Sequence, residues 1–64
     1  MTTLIRQILL NKGISQNMLS HDTRIPTSNI SQIVNGKLIP GPSWRRRIAE
    51  ALDVPENILF PEER

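Results

Sequence analysis

The stretch Pro26-Thr27-Ser28-Asn29-Ile30-Ser31-Gln32-Ile33-Val34-Asn35-Gly36-Lys37 decides how this chain is read. Between its proline and its glycine only Ile30, Ile33 and Val34 are aliphatic. At about 100° per residue these three fall within one arc of about 100°, the buried stripe of a helix. Ser28, Gln32 and Asn35 gather almost opposite, Ser31 lies beside them, and Thr27 and Asn29 flank the set near its N-terminal end. Pro26 suits the start of a helix and Gly36 the position just past its end, so a helix is expected over about residues 27–35. The outer face of that helix is uncharged, although Lys and Glu favour helices more than Ser, Thr or Asn do. Hydroxyls and amides facing outward match the donors and acceptors of base edges in the DNA major groove, where Gln pairs with adenine and Ser or Thr with either partner. No Asp or Glu occurs between residues 23 and 49 to repel phosphate. The plainer alternative is that these side chains only cap and solubilise the helix.

Outward from this stretch, the rest of the chain reads as helices. Leu4, Ile5, Ile8 and Leu9 recur at helical spacing over residues 3–12, with Thr2 or Thr3 as the cap and Gly13 as the stop. Ser15 is an N-cap for a second helix, with Ile14 and Leu19 placed as a hydrophobic staple, and that helix is expected to end near Thr23. Three or four residues then lead into the helix of the opening stretch. Leu38 to Pro42 is a loop, and Trp44, Ile48, Ala51 and Leu52 mark a fourth helix from about Pro42 or Ser43 to Leu52. Residues 54–60 suggest a short fifth helix ended by Pro61. The pattern predicts an all-α, compact five-helix bundle, without repeats or strands. Met18 and Trp44 are assigned to its core.

With 64 residues, one small domain is expected, with its core at about residues 4–60. A chain of this size buries only about 60% of its unfolded surface. There is no cysteine and one histidine, so disulfides and zinc are set aside and apolar packing must hold the fold. His21 is expected to be exposed, without a second metal ligand nearby. No apolar run approaches the roughly 18 residues needed to span a bilayer, and a cytoplasmic location is expected. The net charge of +2 hides an asymmetry. Residues 1–49 set Arg6, Lys12, Arg24, Lys37, Arg45, Arg46 and Arg47 against the single acid Asp22, whereas residues 50–64 hold Glu50, Asp53, Glu56, Glu62 and Glu63 against Arg64. A basic body with an acidic end suggests a polyanion-binding surface, although a solvated basic side explains the charge equally well.

The order Ser15-Gln16, Leu19-Ser20, Ile25, Ile30-Ser31-Gln32-Ile33, Asn35-Gly36-Lys37, Pro40 and Ile48-Ala49-Glu50-Ala51-Leu52 resembles the Xre family of helix-turn-helix regulators, with the lambda-repressor-like fold. The resemblance covers roughly residues 4–60, with the second and third helices as the helix-turn-helix. It implies that Gln16 bonds a phosphate and that Thr27, Ser28 and Gln32 reach base edges, with Asn29 a further candidate. It also implies that Asn35 and Lys37 hold the DNA backbone.

Three positions depart from the family pattern. Arg24 stands where a glycine is usual, so either a left-handed conformation there costs about 1 kcal/mol or the turn differs. Leu9 and Val34 occupy the places of an arginine and glutamate that pair in many relatives, which points to a packed apolar contact. Pro26 replaces the usual hydroxyl cap and leaves the first amides of the third helix less well satisfied.

On the fourth helix, Arg46 faces solvent while Arg45 and Arg47 lie along the two edges of the buried stripe. Arg45 is expected to pack its stem and send its guanidinium outward toward a phosphate. Arg46 is a second phosphate candidate, as a helix N-terminus favours anions; solvated surface is as good an account of Arg46 and Arg47. Ile58, Leu59 and Phe60 either close the base of the core or form a subunit contact.

The favoured expectation is a sequence-specific double-stranded-DNA-binding transcriptional regulator, repressor-like and of phage or mobile-element type. It would act as a homodimer on a two-fold operator, with no cofactor or small-molecule ligand. The alternatives are an antitoxin- or antirepressor-like interaction module working through residues 50–64, or a DNA-binding recombination accessory factor. Nothing suggests an enzyme: paired acids, a nucleophile with a base, a phosphate loop and a metal set are all missing from the sequence.

Overall fold

The computed structural model describes residues 4–60. The cap candidates Thr2 and Thr3, and Pro61, lie outside the described residues. Five helices follow in order: α1 (Leu4–Lys12), α2 (Gln16–Thr23), α3 (Thr27–Val34), α4 (Pro42–Leu52) and α5 (Glu56–Leu59). The described residues contain no strand. The all-α, five-helix architecture expected from the sequence is what the structure shows.

Local chemistry sets the boundaries. α1 ends at Gly13, whose φ of 68° is left-handed; the Ile14 amide returns to the Leu9 carbonyl at 2.9 Å. A Cβ on Gly13 would meet nothing within 4 Å, so backbone conformation alone calls for glycine there. Ser15 caps α2 by accepting from the Met18 amide at 3.1 Å. α3 closes in a Schellman motif: the Lys37 amide bonds the Gln32 carbonyl at 2.8 Å and the Gly36 amide bonds that of Ile33 at 3.1 Å.

The turn between α2 and α3 keeps its left-handed geometry without glycine. Arg24 adopts φ 61°, ψ 31°, and its amide bonds the Ser20 carbonyl. Asp53 does the same after α4, at φ 58°. α3 starts at Pro26 without a side-chain cap, as the replacement of a hydroxyl there implied.

Ile5, Leu9, Leu19, Ile25, Ile30, Ile33, Val34, Ile48, Ala49, Leu52 and Leu59 form the core, with Ile8, Ile14, Leu38, Trp44, Ala51, Val54 and Phe60 packed against it. Leu9 and Val34 both belong to it, so the place of the ion pair is filled by apolar packing. Met18 is a correction: it is 52% exposed. The α2 residues turned inward are Gln16, Leu19, Ser20 and Thr23, an arc that leaves Met18 about 150° away. Thr23 takes the inner position and satisfies its hydroxyl by donating to the Leu19 carbonyl at 2.7 Å. Leu4, counted in the stripe of α1, lies at its edge and is 43% exposed.

Candidate nucleic-acid interface

α3 presents one face to the core and the other outward. Ile30, Ile33 and Val34 are buried, while Thr27, Ser28, Gln32, Asn35 and Lys37 are exposed. Asn29 is half-buried and lines a groove with Leu38, Ile39, Pro40 and Trp44, so it borders the outer face. Gln16 is half-buried at the start of α2, next to the Ser15 cap.

Hydrogen bonds tie α3 to its neighbours at both ends. At the N-terminal end, Thr27 Oγ1 donates to Ser20 Oγ at 3.2 Å. Ser20 Oγ donates in turn to the Ile25 carbonyl at 2.5 Å. This pair of hydroxyls spans the turn and links α2 to the first residue of α3. At the C-terminal end, Arg6 Nη1 donates to Asn35 Oδ1 at 3.0 Å, and Asn35 Nδ2 reaches Ser31 Oγ at 3.5 Å.

Ser20 and Arg6 were both missing from the residues selected on sequence. The wheel held a signal for Arg6, which lies about 60° from Leu9 and so borders the buried stripe of α1. Ser20 belongs to the family motif, but its role is not legible there, because its partners Ile25 and Thr27 come from beyond the helix.

The arginines of α4 point to different surroundings. Arg45 is half-buried, and its guanidinium carbon lies 5.5 Å from the centroid of the Phe60 ring. The group expected to reach outward is thus engaged with an aromatic face. Arg45 falls within the buried arc of α4, about 60° from Ile48 and 20° from Leu52, which directs its stem toward α5. Arg46 is exposed. Arg47 makes a long bond of 3.5 Å to the Thr23 carbonyl at the end of α2, a favourable place for a cation.

The outward face of α3 carries uncharged donors and acceptors, with Arg6 bonded to Asn35 at its C-terminal end and Lys37 just beyond it. Such an arrangement can hydrogen-bond base edges while attracting a polyanion. Among the described residues no group of three or more His, Cys, Asp or Glu could hold a metal ion, and no helix is long and apolar enough to cross a membrane.

A family model described as a helix-turn-helix domain matches residues 2–62. No curated protein and no solved structure matches the chain.

Proposed function

Because the chain belongs to the helix-turn-helix domain family, a non-enzymatic DNA-binding family of the Xre/Cro type, we propose that it is a sequence-specific transcriptional regulator. The observation that carries this reading is the uncharged polar outer face of α3, opposite its buried Ile30, Ile33 and Val34. In this proposal α3 enters the major groove, where Thr27, Ser28 and Gln32 contact base edges and Asn29 reaches one from the border of the face. Gln16, Asn35, Lys37 and Arg46 bond phosphates on either side. Arg45 contributes positive potential toward the phosphate backbone from its seat over Phe60.

A single domain of this size reads few base pairs, so specificity requires two copies on a two-fold operator. We assign the subunit contact to the apolar groove lined by Ile39, Pro40 and Phe60; Ile39 is 84% exposed. Regulation then works by occupancy of the site, in the manner of a phage or mobile-element repressor.

The test is selection of bound duplexes from a random pool, followed by affinity measurements over a range of salt. Enrichment of an inverted repeat with a position sensitive to Gln32 supports the reading. Weak, steeply salt-dependent binding without enrichment leaves only backbone attraction and refutes sequence-specific regulation.

A further inference from the structure

Ser20 sits half-buried on α2, behind the residues that face outward, and its hydroxyl decides what Thr27 can offer a base. A serine hydroxyl has one proton. The Ile25 carbonyl can only accept, so the bond from Ser20 Oγ to that carbonyl commits the serine proton. The 3.2 Å contact between Thr27 Oγ1 and Ser20 Oγ then requires the proton of Thr27. The relay therefore runs in one direction, from Thr27 through Ser20 to the backbone of the turn.

We propose that Ser20 is a specificity-determining positioning residue: by taking the Thr27 proton, it presents Thr27 Oγ1 to DNA as an acceptor only. This rests on the reading that α3 lies in the major groove. A free threonine hydroxyl rotates to serve donors or acceptors, which makes it indifferent to base identity. An acceptor-only oxygen discriminates. In the major groove adenine and cytosine offer an exocyclic amino group, whereas guanine and thymine offer only acceptors to hydrogen bonding there. Thr27 thus selects adenine or cytosine and disfavours guanine and thymine. Three features support the relay's persistence: the acceptor is main chain, Ser20 is half-buried, and the β-branched Thr27 side chain has few χ1 alternatives.

The experiment compares duplex selection by the full chain with Ser20→Ala, Ser20→Thr and Thr27→Val, alongside thermal unfolding of each. The wild type is expected to prefer an amino-bearing base at one position by about threefold to tenfold, the worth of one net hydrogen bond. Thr27→Val should erase that preference, Ser20→Ala should flatten it by admitting guanine or thymine, and Ser20→Thr should retain it, with the other positions unchanged. A purely structural serine would instead weaken all positions together. Should Ser20→Ala fail to fold, the wild type is measured on an operator whose preferred base lacks its exocyclic amino group, where the same threefold to tenfold loss is expected. An enriched operator whose preferences ignore Ser20→Ala, or wild-type affinity unmoved by loss of the amino group, overturns this proposal alone. Failure of the wild type to enrich any operator removes the major-groove reading and this inference with it.

Discussion

Arg24→Gly should stabilise the protein, although it removes a side chain and adds none. Arg24 holds φ 61°, ψ 31°, a left-handed conformation that costs an L residue about 1–2 kcal/mol. Glycine escapes that cost but gives the unfolded chain extra freedom worth about 0.5–1 kcal/mol. Taken near the middle of both ranges, the difference is a net stabilisation of about 0.5–1 kcal/mol. Unfolding entropy near 2.1 cal/mol/K per residue, taken over 64 residues, converts this into a rise in Tm of roughly 4–7 °C. The assay is thermal unfolding followed by circular dichroism, supported by urea titration at constant m-value. Arg24→Ala is the essential comparison, because it deletes the same side chain while keeping Cβ and therefore the strain. If Arg24→Ala gains as much as Arg24→Gly, the effect belongs to removal of the guanidinium and the backbone argument fails. If neither variant gains, the turn relaxes in a way that the left-handed geometry does not describe.

Gln32→Ala should cost about 1–3 kcal/mol on the selected operator and relax preference at one base pair; equal loss on random DNA, measured by competition binding, would remove its base-reading role. Arg45→Ala should destabilise the fold by about 1 kcal/mol through the lost contact with Phe60, whereas Arg46→Ala should leave Tm unchanged and reduce the salt slope of DNA binding by about one. Thermal unfolding and a salt series on the two variants separate these effects. Ile30 is fully buried, so Ile30→Val should cost about 0.5–1.5 kcal/mol and Ile30→Ala about 2–5 kcal/mol by denaturant titration. Against a total of roughly 3–10 kcal/mol for a domain of this size, the alanine variant should populate the unfolded state measurably.

Where chemistry is local, the sequence was sufficient to read this protein. Gly13, Ser15, Pro26 and Gly36 mark starts and stops because glycine alone enters the left-handed region cheaply, a hydroxyl satisfies an end amide, and proline tolerates a first turn. The spacing of Ile30, Ile33 and Val34 turned Ser28, Gln32 and Asn35 outward for the same reason: a helix's period is set by its own hydrogen bonds. Arg24 shows the limit of such reading. Its residue type argues against a left-handed turn, yet packing of α2 against α3 around Ile25 and Ile30 holds it there at a local cost. Met18 and Thr23 show another limit, since hydrophobicity favoured one and the direction of α2's inner face chose the other. The relay of Thr27 and Ser20, the bond from Arg6 to Asn35 and the seat of Arg45 over Phe60 all join residues brought close only by the crossing of helices. No propensity or period encodes such pairs; they exist because the core fixes where each helix lies, and the tertiary structure alone decided them.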